Sequence, residues 1–181
     1  MQRSSHSTAL LALALVGCAD ALPTAPRAGS PTLARAAASD GAAGARPFSG
    51  TCTTTFAPIP LPPPAVYRQV ATGTCTLSHL GRTALLLIQD VRLADGTQQS
   101  VVVTYTAANG DVLRASNVGT SRRFGPGVAF EAAVTFVGGT GRFAHATGEA
   151  HVTGTADFVA STSDYTIEGW IAYDAADRSG P

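Results

Sequence analysis

The chain has 181 residues, of which 13% are charged and 7% aromatic, and its formal net charge at pH 7 is zero. This length suits one domain with a single core, and the balanced charge argues against the basic surface of a nucleic-acid-binding protein. Sparse charge together with many Thr, Val, Ala and Gly residues favours a β protein over a helical one. We therefore expect an all-β domain with no nucleic-acid partner.

The amino terminus has the pattern of an export signal. Residues 9–16 form an apolar run that is too short to span a bilayer but matches the apolar region of a signal peptide. The run ends in Leu15-Val16-Gly17-Cys18, which resembles the lipobox of bacterial lipoproteins. The resemblance implies removal of residues 1–17 and lipid attachment to Cys18. The alternative is an ordinary secretory signal in which Cys18 is incidental.

The segment that follows the signal is predicted to be a flexible tether. Residues 18–45 consist mainly of Ala, Pro, Gly, Ser and Arg, and such a composition buries too little surface to fold. Acyl chains on Cys18 would hold the protein on a membrane. We therefore expect an exported protein, anchored to the cell membrane or the outer membrane, whose domain spans residues 46–174 and ends in a polar tail at 175–181.

The first two predicted strands, 48–56 and 66–79, carry a repeated sequence. Between them, residues 57–65 contain five prolines, and we expect a surface loop there. Gly50-Thr-Cys-Thr53 recurs as Gly73-Thr-Cys-Thr76, so pairing of the two strands would set Cys52 against Cys75. In an exported protein a disulfide is the expected use of these cysteines. Two buried free thiols or half of a metal site are the alternatives.

The next three predicted strands, 83–93, 98–107 and 112–118, are joined by hairpin signals. Asp95-Gly96 and Asn109-Gly110 are typical of tight turns between strands. If both are two-residue turns, Tyr105 shares a face with Leu86 and Arg114. Both faces of the first of these strands are apolar, which predicts that a neighbouring segment or a second copy of the chain covers the outer face.

The same register predicts a ligand site. The candidate cavity residues are Asp90, Tyr105 and Arg114, because a cavity with a few converging polar groups is the usual form of a binding site. A partly buried ion pair, or side chains that face water, are the alternatives for these residues.

A glycine-rich corner separates two long alternating runs near the carboxyl end. Apolar residues alternate from Val128 to Phe136 and again from Ala146 to Ala156. The glycines between them permit backbone angles and close approaches that other residues make costly. A polar loop at 119–127 precedes this region, and a last strand at 164–173 follows it. The count reaches eight strands, which predicts a closed antiparallel barrel.

The corner carries a resemblance to a known superfamily. The run from Gly138 to Gly148 resembles the Gly-Gly-Thr-Gly-x-Phe-x-x-Ala-x-Gly signature of dirigent and allene oxide cyclase barrels. The matching corner residues are Gly138, Gly139, Gly141, Phe143 and Gly148. The resemblance implies an eight-stranded, calycin-like barrel in a superfamily of plant isomerising or coupling proteins and secreted bacterial proteins. No catalytic residue of the plant families can be matched here, so none is carried over.

No other constellation predicts a particular chemistry. His145, Thr147, Glu149 and His151 share one face, which is read either as a metal or acid–base site or as the solvent face of a strand. We expect the solvent face, and neither a metal nor a cofactor. The sequence favours a non-catalytic small-molecule-binding or structural barrel of the cell envelope. An isomerase or cyclase acting on an apolar small molecule is the alternative, and self-association into a homo-oligomer is a third hypothesis.

Overall fold

The structure of this chain is a computed structural model that describes residues 44–62, 67–92 and 94–174. Its strands are β1 (Arg46–Pro60), β2 (Tyr67–Leu77), β3 (Gly81–Val91), β4 (Thr97–Ala107), β5 (Val112–Phe124), β6 (Gly127–Gly139), β7 (Thr147–Asp157) and β8 (Thr162–Ala172). Each strand pairs antiparallel with the next, and β1 pairs with β8, so the sheet closes. The predicted eight-stranded antiparallel barrel is confirmed. The predicted signal peptide, Cys18, the tether up to residue 43 and the polar tail at 175–181 lie outside the described residues.

Alternate side chains of the strands point into the barrel, which follows from the period of two in a β-strand. The connections β2–β3, β4–β5 and β6–β7 lie at one end, which we call the corner end. Large apolar side chains fill this end of the interior, and the largest fully buried ones include Phe48, Leu113, Phe143, Ile167 and Ile171. The rings of Phe48 and Phe136 pack edge to face with their centroids 4.7 Å apart. The corner end is therefore closed by packed side chains.

A disulfide joins the first two strands inside the barrel. Cys52 on β1 lies directly opposite Cys75 on β2, and the two sulfur atoms are bonded. Both cysteines are buried, and their Cα atoms are 4.0 Å apart. The glycine of the repeat allows this close pairing, because a Cβ atom on Gly73 would collide with the carbonyl oxygen of Thr53. The expected pairing of the two cysteines is confirmed.

The proline-rich segment after β1 begins later than predicted. β1 continues to Pro60, which pairs with Tyr67 of β2, so the prediction of a loop from residue 57 is wrong. The physical reason lies on the other side of β1, where pairing with β8 ends at Thr55. The N–H of Phe56 donates to the Ser161 carbonyl on that side. The next two backbone nitrogens on that unpaired side belong to Pro58 and Pro60. A proline nitrogen carries no hydrogen, so neither of them needs an acceptor there.

The predicted polar loop at 119–127 is also wrong. β5 extends to Phe124 and β6 begins at Gly127, so a turn at Gly125 and Pro126 joins them. Arg122 and Arg123 lie in the strand, where they pair with residues of β6. Because their side chains are exposed, charge at these positions does not oppose strand pairing.

The predicted register of β3, β4 and β5 is wrong by one residue. Tyr105 lies opposite Leu85 and Leu113, rather than opposite Leu86 and Arg114. The β4–β5 turn is longer than two residues, because the last strand pair is Thr106 with Val112. A shift of one residue moves every side chain of a strand to the other face. Tyr105 therefore points into the barrel, and Arg114 points outward.

The glycine corner follows β6 and contains a single 3₁₀ turn, Gly141–Phe143. Gly138 and Gly141 have φ angles of 94° and 56°, in the region that favours glycine. Gly139 needs its missing side chain for a different reason, since a Cβ atom there would collide with the Val112 carbonyl oxygen. Phe143 is fully buried below the corner. The corner thus brings β6 back to β7 while its phenylalanine fills the corner end.

Arg142 fixes the outside of the corner. One of its Nη atoms donates to the His79 carbonyl oxygen at 2.6 Å. Its Nε atom lies 3.6 Å from the Asp111 carboxylate, and its guanidinium lies 4.9 Å from the centre of the Phe143 ring. These contacts tie the β2–β3 and β4–β5 turns to the corner. They assign Arg142 a structural place at the barrel rim.

Candidate functional site

A cavity of about 50 Å³ lies inside the barrel. Its apolar wall is formed by side chains of alternate strand residues, which point into the barrel. These are Ala71, Leu85, Leu87, Val103, Val128, Phe130, Ala132, Val134, Val152 and Ala156. Its polar wall is formed by Gln69, Gln89, Gln98, Tyr105, Asn117, Ser163 and Tyr165. The cavity wall therefore combines apolar side chains with amide and hydroxyl groups.

Three glutamines from adjacent strands form an amide chain on one side of the cavity. Nε2 of Gln89 donates to Oε1 of Gln69 at 2.9 Å and to Oε1 of Gln98 at 3.2 Å. Gln69 and Gln89 are only 8% and 6% exposed, so these amides sit in the interior rather than in bulk water. Both hydrogens of the Gln89 amide are used, which holds the three side chains in one arrangement.

Two tyrosines meet across the barrel. Tyr105 on β4 and Tyr165 on β8 both line the cavity, and each side chain influences the pKa of the other. Burial raises the pKa of Tyr105 to about 12, and it also raises the pKa of Tyr165 well above 10.0. Both hydroxyls are therefore protonated and neutral at physiological pH. They can donate and accept hydrogen bonds but supply no charge.

One lining residue, Asn117, has a buried side-chain atom without a hydrogen-bond partner. The side-chain oxygen Oδ1 of Asn117 is buried and accepts no hydrogen bond from any described residue. The hydroxyls of Thr54 and Ser163, in contrast, bond each other at 2.6 Å. An unsatisfied buried acceptor is uncommon in folded proteins and calls for an explanation.

The structure separates the three predicted cavity residues. Tyr105 lines the cavity, but Asp90 and Arg114 lie on the outer face of the barrel because of the shift in register. Asp90 forms a two-point ion pair with Arg68, with distances of 2.7 and 3.0 Å. Its hydrogen bonds with Arg68 lower the pKa of the Asp90 carboxyl. The prediction that Asp90 and Arg114 share a face with Tyr105 is wrong.

The histidine-containing face of β7 points to solvent. Thr147, Glu149 and His151 are exposed, as are the later polar residues of the strand. His145 lies before the strand, and its Nδ1 is 2.9 Å from the Asp174 carboxylate. Within residues 44–62, 67–92 and 94–174, no group of three or more His, Cys, Asp or Glu side chains is arranged to hold a metal ion.

The sequence patterns did not predict several of the residues that line the cavity. Gln69, Gln89 and Asn117 look like ordinary surface residues in a sequence, because polar side chains usually face solvent. A signal was present for Gln89, which alternates with Leu85 and Leu87 on the buried face of β3. A signal was present for Asn117 too, which alternates with the buried Leu113 and Ala115 on β5.

An aliphatic patch lies on the outer face of β2 to β5. Val70, Ile88 and Val102 are directly opposite one another in one row. Leu86, Val101 and Val118 lie nearby and are 37%, 52% and 61% exposed. No described segment covers this patch, so its expected cover by a neighbouring segment or a second copy of the chain stays a prediction.

Comparisons with protein families, curated proteins and solved structures return no match to this chain. Within the described residues, no helix has the length and apolar character needed to cross a membrane. The resemblance of the corner to dirigent and allene oxide cyclase barrels stays a prediction from the motif.

Proposed function

We propose that this chain is an exported, lipid-anchored protein of the cell envelope whose barrel binds a small uncharged molecule without transforming it. The observation that carries the proposal is the interior cavity. Its wall combines apolar side chains with amide and hydroxyl groups, and no lining residue carries a formal charge at neutral pH. An apolar wall with a few placed polar groups is the usual composition of a small-molecule site.

The size and polarity of the cavity limit the molecule that fits. Sites for drug-sized ligands usually enclose about 300–1,000 Å³, whereas this cavity has about 50 Å³. It suits a molecule, or the end of a molecule, with only a few non-hydrogen atoms. A charged group would lose its hydration here without gaining a counter-ion from the wall. The ligand in this proposal is therefore small and neutral.

The alternative of an isomerase or cyclase needs a group that transfers a proton near neutral pH. Among the cavity-lining residues, only Tyr105 and Tyr165 are ionisable. Burial raises the pKa of both hydroxyls, so neither supplies a base under physiological conditions. The geometry supports binding better than acid–base catalysis.

The envelope location rests on the amino-terminal sequence. The apolar run and Cys18 match a lipoprotein signal, and the lipid on Cys18 would anchor the protein at the cell membrane or the outer membrane. The bonded cysteines in the barrel agree with this location, because disulfides persist in oxidising compartments outside the cytoplasm.

Xenon tests the binding proposal, because it is uncharged and small enough for an apolar cavity. We expect methyl resonances of Val103 and Val134, which line the cavity, to shift saturably with xenon pressure. Ala132→Val adds volume inside the cavity and should weaken this response at least about tenfold, since well-packed sites tolerate added methyl groups poorly. Ala133→Val is the matched control, because Ala133 is exposed on the outer face of the same strand.

Two results would count against the proposed function. One is a lack of saturable shifts at Val103 and Val134 in the wild-type protein. The other is equal xenon binding by the Ala132→Val and Ala133→Val variants, which would place the xenon outside the barrel.

A further inference from the structure

The outer surface of the barrel is divided by charge. Residues 67–124, which include β2 to β5, contain six arginines and three aspartates, whereas residues 127–174, which include β6 to β8, contain one arginine and six carboxylates. The first segment therefore has a net positive charge and the second a net negative charge, although the whole chain is neutral. Such a separation gives one molecule two surfaces with complementary electrostatic potentials.

The aliphatic patch lies on the positive side and is bordered by arginines. Arg82 on β3 and Arg114 on β5 are exposed, and neither forms an ion pair with a described residue. Arg114 is directly opposite Thr104, which is directly opposite Leu86 of the patch. The three aspartates of residues 67–124 are already held in the pairs Asp90–Arg68, Asp95–Arg92 and Asp111–Arg142. No carboxylate of these strands is left to compensate the two arginines.

The negative side presents carboxylates beside an aromatic side chain. Glu149 on β7 is directly opposite Trp170 on β8, and Glu168 is the outward-facing residue next to Trp170 on the same strand. Both glutamates are exposed, and neither forms an ion pair with a described residue. We call the surface formed by Glu149, Glu168 and Trp170 the acidic face. It lies across the ring from the patch, because β7 and β8 are each four strands away from β3 and β4.

The charges favour one way of covering the patch over another. Contact between two patches would bring the arginines of both copies together without a carboxylate to receive them, and like charges across an interface oppose binding. Contact of the patch with the acidic face would instead bring Arg82 and Arg114 towards Glu149 and Glu168. It would also cover aliphatic side chains with Trp170, and tryptophan and arginine are the residue types that contribute most to protein interfaces.

We infer that the aliphatic patch of one copy of this chain binds the acidic face of a second copy. Each copy offers both surfaces, so the contact is head to tail. Because the two surfaces lie on opposite sides of the ring, a bound pair still has one of each exposed, and association continues into rows of more than two copies.

Two double variants of the full chain test the contact by sedimentation velocity. Val101→Ser with Val118→Ser, the patch variant, removes apolar groups that are 52% and 61% exposed. Glu149→Gln with Glu168→Gln, the acidic-face variant, removes the negative charge. We expect the wild-type chain to associate in the micromolar range, and each variant to associate at least about tenfold more weakly. Val159→Ser is the control, since Val159 is 84% exposed in the β7–β8 turn, away from both surfaces, and it should associate like the wild type.

A mixture of the two variants tests the head-to-tail arrangement. The patch variant keeps an intact acidic face, and the acidic-face variant keeps an intact patch. We expect an equimolar mixture to form a one-to-one complex with wild-type affinity and no larger species, because only one intact pair of surfaces is available. Contact between two patches would instead let the acidic-face variant associate by itself as strongly as the wild type.

Several results would overturn the inference. These are a wild-type chain that stays monomeric at all concentrations, a double variant that associates like the wild type, a mixture that forms no complex, and a Val159→Ser control that associates as weakly as the patch variant. If the patch variant fails to fold, Arg114→Gln replaces it, because it changes an exposed side chain at the border of the patch. The same loss of association and the same complex with the acidic-face variant are expected of it.

Discussion

Tyr105 and Tyr165 can meet because their strands, β4 and β8, lie on opposite sides of the closed ring. Each ring fills part of the interior, and both side chains are buried away from bulk water. The two tyrosines therefore pack between distant strands and line the cavity at the same time.

The buried tyrosine pair predicts a loss of stability at high pH. An unfolded chain loses the Tyr105 proton at about pH 10, whereas the folded protein keeps it up to a pKa of about 12. The folded state binds more protons between these values, so the free energy of unfolding decreases as the pH rises through this window. Urea unfolding at a series of pH values should show this decrease. Tyr105→Phe should make it smaller, and an equal pH dependence in the variant would contradict the prediction.

At the scale of elements, the β1–β2 hairpin combines strand pairing with a disulfide. Its strands pair from Gly50 with Leu77 to Pro60 with Tyr67. The disulfide crosses this hairpin with a sequence separation of 23 residues. It thus adds a covalent constraint to a pairing that hydrogen bonds already define.

Removal of this disulfide should destabilise the barrel. A cross-link that closes a loop of this length stabilises a protein by about 3 kcal/mol, mainly by restricting the unfolded chain. We expect Cys52→Ala combined with Cys75→Ala to lower the free energy of unfolding by about this amount. Urea denaturation under oxidising conditions measures the difference. Adding a reductant should lower the wild-type value but not that of the variant, and sensitivity of the variant to reductant would contradict this explanation.

The hairpins also show how far the sequence predicts the fold. The existence and order of the strands follow from alternation and from the glycine and proline positions. The register does not, because Asn109-Gly110 is compatible with turns of more than one length. In the structure, Asn109 and Asp111 exchange hydrogen bonds within a longer turn, and this moves Arg114 out of the cavity. The cavity residues depend on that register, so most of the site could not be derived from local patterns.

At the scale of the whole molecule, the chain combines a closed barrel with an amino-terminal segment predicted to carry a lipid. The described barrel places its apolar groups inside, apart from scattered exposed positions and the outer aliphatic patch. Attachment to a membrane in our proposal therefore depends on Cys18 and not on the barrel.

The predicted anchor can be tested directly on the full chain. When the protein is produced in a bacterium with its own signal, we expect it in the membrane fraction. Cys18→Ser removes the acceptor of the lipid and should abolish this membrane association, because no acyl chain remains to be buried. Cys52→Ser together with Cys75→Ser is the control, which keeps Cys18 and should stay with the membrane. Membrane association of the Cys18→Ser protein would contradict the lipobox prediction.

The closure of the ring also has a consequence for the order in which the molecule is built. The last seam is the β1–β8 strand pairing that closes the barrel, in which Arg46 at the start of β1 lies opposite Ile171 near the end of β8. A ribosome makes β1 first and β8 last, so the seam cannot form until the whole domain has been synthesised. The β1–β2 hairpin can pair much earlier, since its contacts are local. Until β8 arrives, β1 has an open edge that other chains could join, and the speed of the final closure sets how long that hazard lasts.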